Sequence, residues 1–503
     1  MAETLKERGF FWWFNEPNLP ARSLETSIPG LLTIMDDGRI TLQADGSLCL
    51  KDEYQSSSED RWLPESRRVA GVLASSERHD SFVLLEGLLR TDWSFPHESP
   101  QQQEFVAQLC TSRNSPFPDD YSTKLFTELR IELDGFEDWL GLESIMVDRE
   151  YSQGEKVNVH VTYKEWKLEY PIPEGTILIE SVTTGVPLFS FSRDIPSRIA
   201  EFRQYYYLIF KPDSPSDAAN LRHIYTKTEE LLALLTGTYS RLRWPILTTQ
   251  EEELPTWNTL HFFRGTSSGE PISRSSAWVP FSRVRDAFGG LFKNWLARSE
   301  SFGSAYYLYT SSLRSPHHYA EHRFVNLIWC VEALHRKWLG EPETSDRVAK
   351  ERERVKTILS AFPDGSEDRK WLEKKLKYAH ELSLEARILE CLRELPLTFG
   401  KSEIEKFSKA CADRRNDISH HGGPREDADY GSFQSDISQL ADALDHLYHA
   451  LLLHQIGVDT AILLKAMTDS IVSIRVKAAL QNVGISIKSA APQLSPPQTP
   501  LSS

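Results

Sequence analysis

At 503 residues the chain exceeds what a single hydrophobic core usually serves, so two or three domains are expected. It is 40% apolar, 26% charged and 11% aromatic, which excludes a largely disordered protein. The net charge of −15 argues against indiscriminate nucleic-acid binding, because global repulsion opposes approach to phosphate, but it leaves room for a locally basic cleft.

The first element, "GFFWWF" at 9–14, is too short for a signal peptide and lacks a small-residue cleavage site. Its rings suit a β-rich core better than a surface that stacks bases or sugars. Short β-branched or aromatic runs then recur between Gly, Pro, Asp and Ser: "GLLTIM", "RITLQADG", "SFVLLEGLL", "LFTELRIELDG", "KVNVHVTY", "WKLEYPIPEGTILIE" and "QYYYLIFK". They predict a large antiparallel β-rich module. A helix interrupts it at 216–236, with Leu221, Ile224, Tyr225, Leu231, Leu232 and Leu235 on one face, and a second is expected near 282–298. No apolar run is long enough to cross a bilayer. The five cysteines (Cys49, Cys110, Cys330, Cys391, Cys411) lie far apart and never in CxxC spacing, as expected for mostly buried, reduced thiols of a cytoplasmic protein.

From about residue 300 the texture turns helical. "YAEHRFVNLIWCVEALHRKWLG" puts Phe324, Leu327, Ile328, Val331, Leu334 and Trp338 on one stripe, with Gly340 as the stop. A charged helix ("RVAKERERVKTILSAF"), a "PDGS" turn and further helices over 367–395 follow. Ser402 and Glu405 form a capping-box pattern opening a helix whose apolar line runs Ile404, Phe407, Cys411, Ile418. The next helix follows Phe433, Ile437, Leu440, Leu444, Leu447 and Leu451; one more is expected over 459–480. The fold class is therefore multidomain α+β. A β-rich domain spans 1–300, an all-α antiparallel bundle spans 301–480, and a disordered tail spans 481–503.

Several motifs carry less than they promise. "GTSSG" (Gly265–Gly269) fits G-x-S-x-G, but Glu270 and Pro271 follow where a hydrolase elbow turns straight into a helix, so a loop is the better reading. "GKS" at 400–402 resembles a phosphate loop, yet Leu395 stands where its first glycine belongs and Pro396 sits inside it. His318 and His322 are one helical turn apart and suit zinc, but no third ligand is spaced nearby. No metal or other cofactor is expected.

One stretch stands out: "RRNDISHHGG", residues 414–423. A helix turns about 100° per residue, so Asn416 and His420 lie nearly above one another, and Arg415 can sweep its guanidinium to the same end. Gly422 and Gly423 allow a left-handed exit that Pro424 makes final. Imidazole titrates near neutrality and guanidinium forks onto phosphate, a pairing suited to phosphodiester chemistry without a metal. The competing reading is a surface helix end whose cations complement the macrodipole.

The pattern Arg415-Asn416-x3-His420-x-Gly, late in a helical bundle, resembles the signature of the HEPN superfamily (higher eukaryotes and prokaryotes nucleotide-binding), R-x4-6-H with a polar residue after the arginine. "RFVNLIWCVEALHR" resembles the first helix of its ApeA-like branch, and "WWFNEPNLPARSLETSIPGLLTIMDDGRITLQADGSL" resembles the β-rich N-terminal domain those proteins carry. The resemblance spans nearly the whole chain apart from the tail. It implies a bacterial anti-phage abortive-infection protein whose helical domain is an endoribonuclease acting on tRNA or other host RNA. Arg415, Asn416 and His420 take the motif positions; Arg414 and His421 are alternative registers. Arg414 falls on the Ile404–Phe407–Cys411–Ile418 line, which turns it toward a neighbouring helix or subunit. Glu332 stands on the first helix where family members can add an acidic residue, and a packing or surface role competes there.

The mechanism this implies is attack of a ribose 2′-OH on the adjacent phosphorus, leaving a 2′,3′-cyclic phosphate and a 5′-OH. His420 would serve as general acid or base and Arg415 would stabilise the phosphorane. A homodimer through the helical domain, with a composite site, is expected. So is a sensor role for residues 1–300 toward a phage-derived trigger. The alternatives are a non-catalytic RNA-binding or protein-interaction module that keeps the motif as scaffold, and an esterase using Ser267.

Overall fold

Alternation of apolar and polar residues in the first half closes a barrel. In the computed structural model the described residues are 3–14, 27–46, 48, 67–74, 82–90, 102–118, 121, 125–142, 145–151, 157–188, 199–240, 242–251, 254–264, 271–314, 319–339, 345–424 and 429–489. Six antiparallel strands form the barrel: β1 (Glu3–Trp13), β2 (Ile28–Met35), β3 (Ile40–Ala44), β4 (Val69–Leu73), β5 (Phe82–Arg90) and β6 (Gln103–Arg113). Their order is β6-β3-β2-β1-β4-β5, and β5 pairs back onto β6, with Leu85 opposite Cys110. In β2 and β3 every second residue turns inward, so Leu32, Ile34, Ile40 and Leu42 meet Phe11, Val83 and Phe105 in one core. Gly71 faces Phe11, and a Cβ there would come within 2.5 Å of its ring. Of the N-terminal aromatic run, Phe11 and Phe14 are buried and Trp13 packs partly against the core, whereas Phe10 is exposed.

The sheet continues past β6 through β14 (Leu254–Phe262), β13 (Ile246–Glu251), β7 (Glu128–Ile131), β12 (Ile199–Pro212), β11 (Gly175–Leu188) and β10 (Lys167–Ile172). A short helix, α1 (Phe136–Leu140), and a separate hairpin of β8 (Ile145–Tyr151) and β9 (Val157–Tyr163) complete this part. The seven β-like runs read from sequence all fall on strands. Helix α2 (Ala218–Thr236) buries Leu221, Ile224, Tyr225, Leu231, Leu232 and Leu235, the face its spacing predicted.

The chain divides into two compact units: Met1–Glu229 with Ser240–Pro271, and Glu230–Tyr239 with Ile272–Ser503. The division thus precedes the change of texture near residue 300. The reason lies in α3 (Phe281–Val284) and α4 (Phe288–Phe302), which cover the helix expected at 282–298. Trp295 of α4 packs edge-on against Tyr306 of α5 (Ser304–Arg314), and Asn294 donates to the Ile456 carbonyl at 3.0 Å.

The second unit is helical. Helix α6 (Ala320–Leu334) buries Phe324, Leu327, Ile328, Val331 and Leu334 as its stripe required. Trp338 leaves that stripe and is exposed, because residues His335–Leu339 wind as a π-turn whose extra residue per turn shifts the phase and buries His335 instead. Gly340 and "GTSSG" lie outside the described residues. A hairpin of α7 (Asp346–Ser360) and α8 (Glu367–Leu376) follows, capped by Ser345 and Ser366; α7 buries only Val348 and α8 buries nothing. Then come α9 (Leu384–Arg393), a two-residue strand β15 (Thr398–Phe399), α10 (Lys401–His421) and α11 (Tyr430–Gln455). Arg323 forks onto Asp442 and, at 2.9 Å, Asp445, joining α6 to α11.

Two local expectations need correction. The residue that opens α10 is Gly400, not Ser402, and it makes no side-chain cap; the Glu403 carboxylate is taken instead by the backbone N–H of Ser486 at 3.0 Å. The helix expected over 459–480 is two, α12 (Thr460–Thr468) and α13 (Ile471–Asn482), because Ser470 and Ser473 form a capping box that starts a new helix. Residues 481–489, assigned to a disordered tail from sequence, end α13 and form β16 (Ile487–Ser489), which pairs with β15. Residues 490–503 lie outside the described residues. Cys110, Cys330, Cys391 and Cys411 are free and buried.

Candidate active site

The stretch 414–423 forms the last turns of α10 and its exit. Gly422 adopts φ +71° and donates its N–H to the Ile418 carbonyl at 3.1 Å, the left-handed C-terminal cap its sequence foretold. Nothing stands within 4 Å of a Cβ placed there, so backbone conformation, not space, favours glycine.

Two neighbouring arginines have opposite environments. Arg414 donates to Asp417 at 3.3 Å and to Asp436 of α11 at 2.8 Å, and its guanidinium lies 5.4 Å from the centre of the Phe433 ring. Asp417 is buried. Arg415, about 100° further around the helix, has no carboxylate within ion-pair distance among the described residues. It donates to the Asn416 side-chain oxygen at 3.3 Å, and its buried Nε has no acceptor. One guanidinium is therefore neutralised and holds α10 to α11; the other is left without a carboxylate among the described residues.

His420 and His421 are exposed, and neither ring makes a hydrogen bond among the described residues. Asn416, one turn before His420, is half-buried. Helical geometry puts these two on one side of α10.

A cleft of about 470 Å³ opens between α10 and α11 on the Arg414 side. Asp413, Asp417, Asp429 and Asp436 line it with Arg414 and Phe433. A second, of about 410 Å³, shares Asp413, Arg414 and Asp436. Arg415, Asn416 and His420 line neither. Four carboxylates around one paired cation repel phosphate, so a polyanion would approach α10 from its other side.

Glu332 belongs to a different network. Its carboxylate accepts from Arg336 at 3.1 Å, and Arg336 also meets Glu381 at 3.0 Å. Beside it Arg387 donates to Glu381 at 3.0 Å, while buried His335 pairs with Glu390 at 2.7 Å. None of these contacts involves α10. Deeper still, Tyr309 shares a 2.6 Å hydrogen bond with Nδ1 of His449, whose ring lies 4.5 Å from Trp278. Burial, and then neighbouring His446, push the His449 pKa down to about 3. Among the described residues no group of three or more His, Cys, Asp and Glu side chains is arranged to hold a metal ion. Of the histidine pair weighed for zinc, His322 is exposed and His318 lies outside the described residues.

Sequence reasoning overlooked Asp417 and Asp436, the residues that tell the two arginines apart. Asp417 was detectable as an i+3 partner of Arg414; Asp436, on the next helix, gave no local signal.

Residues 6–295, more than half the chain, match the family model for ApeA N-terminal domain 1, and residues 325–462 match that for Apea-like HEPN. The chain belongs to the ApeA family of HEPN proteins. In this ApeA-family chain the end of α10 falls inside the HEPN match, in the domain order its sequence implied. The pairing of the two domains suggests anti-phage defence, and HEPN domains are generally nucleases that bind RNA and dimerise. No curated protein and no solved structure matches the chain. Among the described residues no helix is long and apolar enough to cross a membrane.

Proposed function

We propose that the helical unit is an endoribonuclease whose site is the end of α10, acting in the cytoplasm during anti-phage defence. The observation that carries this reading is the contrast between the arginines: Arg414 is matched by Asp417 and Asp436, whereas Arg415, beside Asn416, has no carboxylate partner among the described residues. In the reaction a ribose 2′-OH attacks its own 3′-phosphorus. The P–O5′ bond breaks, and a 2′,3′-cyclic phosphate and a 5′-OH remain. His420 moves the proton, Arg415 stabilises the equatorial charge and Asn416 orients the phosphate or the imidazole.

Acid–base cleavage profits from two poised groups, and a catalytic base is usually oriented by a third group. HEPN domains typically dimerise, which supports a homodimer that brings two α10 ends to one composite site. The β-rich unit would restrain or release that site in response to a phage-derived trigger.

The test is to incubate the full chain with total RNA, tRNA included, with and without EDTA, and to map the ends produced. Cyclic phosphate ends that persist in EDTA, on RNA but not on DNA, are the expected result. Intact RNA that is nonetheless bound would favour the non-catalytic module instead.

A further inference from the structure

The α7–α8 hairpin is unlike the rest of this acidic chain. Residues 346–377 carry ten Lys or Arg and seven Asp or Glu, a local excess of positive charge in a protein of net charge −15. The hairpin gives little to the core, since α8 buries none of its residues. Its cations divide by partner. Arg369 is held by Asp364 and Glu373, and Lys356 pairs with Glu353. Lys370, Lys374 and Lys375 have no carboxylate partner among the described residues.

Two large exposed rings accompany these lysines in the chain. Trp371, Lys374 and Lys375 are spaced i, i+3, i+4, so they lie on one face of α8, and Tyr378 follows in the turn beyond its end. Trp371 and Tyr378 are each 60% exposed. The Lys377 ammonium stands 5.0 Å from the centre of the Tyr378 ring. Exposed aromatic faces interleaved with unpaired lysines are the chemistry that holds unpaired nucleotides: rings stack on bases while ammonium groups meet phosphates. A duplex offers no free base face to such rings.

We propose that this face of the α7–α8 hairpin binds a single-stranded segment of RNA. The inference rests on the reading of the helical unit as a ribonuclease, for which the hairpin supplies the substrate grip that the acidic clefts beside Arg414 cannot. A chain repelled by polyanions overall needs such a local basic face for capture.

The experiment measures binding of the full chain to a fluorescein-labelled 2′-O-methyl oligoribonucleotide by anisotropy, as an unpaired strand and as a duplex. The methyl group blocks the 2′-oxygen, so binding is read without cleavage. The expected result is preference for the unpaired strand. Trp371→Ala with Tyr378→Ala should weaken it by roughly tenfold per ring. Lys374→Glu with Lys375→Glu should weaken it and lower the slope of log affinity against log salt by about 0.7 per lost phosphate contact. Both variants should melt as wild type does.

Variants that bind as wild type, or equal binding of strand and duplex, would overturn the proposal. So would a changed oligomeric state with unchanged RNA affinity, which would make the face a contact between copies. Cleavage of unmodified RNA, followed in parallel, separates the two readings. RNA cut normally by hairpin variants with intact binding removes the hairpin alone. RNA held through the hairpin yet never cut supports the hairpin and removes the nuclease.

Discussion

His449 in the middle of α11 and His420 at the end of α10 carry the same side chain in opposite settings. His449 is sealed between Tyr309 and Trp278, bonded at Nδ1, and held neutral by burial. His420 is exposed and unbonded among the described residues. The arginines repeat the contrast: Arg414 is locked by two carboxylates and Arg415 by none described. A group enclosed by its own chain serves the fold, whereas only a group left accessible can meet a substrate.

The sharpest way to break this comparison is His420→Ala. Cleavage should fall by ~10²–10⁴-fold, the usual worth of acid–base help, with thermal melting unchanged because the residue is exposed. A variant that melts normally and still cuts RNA at the wild-type rate would reduce the stretch to a charged cap. Arg415→Lys comes next and should lose most of the rate, since a point charge does not replace a planar fork on phosphate. Arg414→Lys should keep the rate, and equal losses in the two variants would erase the distinction between them.

Acid should expose the other half of the contrast. The native pKa of His449, about 3, lies below its ordinary value of 6.5, so the unfolded chain takes up the proton first. Stability that is complete above that ordinary value is lost as pH falls toward 3, by about 1.4 kcal/mol per pH unit for this one group. Burial lowers His446 and His454 in the same direction. His449→Gln should therefore flatten, without abolishing, the fall of the urea midpoint below about pH 6. An unchanged slope would show that this ring titrates as it does in water.

Smaller effects follow. Arg414→Ala removes one partner of buried Asp417 and the link to Asp436, and should cost about 1 kcal/mol of stability, read as a lower melting temperature, with cleavage kept in the fraction that stays folded. His421→Ala should be the mildest, a few-fold change in rate at most. A loss as deep as that of His420→Ala would move the motif to the other imidazole.

Much of this was legible beforehand because local patterns decided it. Alternating residues such as Leu32 and Ile34 placed strands, the 3–4 spacing of Phe324, Leu327, Ile328 and Val331 placed α6, and Gly422 placed the end of α10. What was not legible depended on partners far along the chain. Barrel closure needs Leu85 to find Cys110, and the start of α10 needs Ser486 to occupy Glu403. The role of Arg414 needs Asp436 from another helix. Trp338 failed for a subtler reason: one π-turn rotates the stripe, and no spacing rule anticipates where a helix will widen.

The pairing of β16 with β15 has a mechanical consequence. It fastens residues 487–489 to Thr398 and Phe399, one residue short of the cap of α10, and the Ser486–Glu403 bonds tie the same segment to that helix's first turn. The far end of the described chain is thereby a tether on the helix that carries Arg415 and His420. Proteolysis just before Ser486, or a binding protein that peels β16 away, would loosen α10 at its origin, some twenty residues upstream of the imidazoles. A clip far from His420 in the chain thus decides how firmly the helix that carries it is anchored at its start.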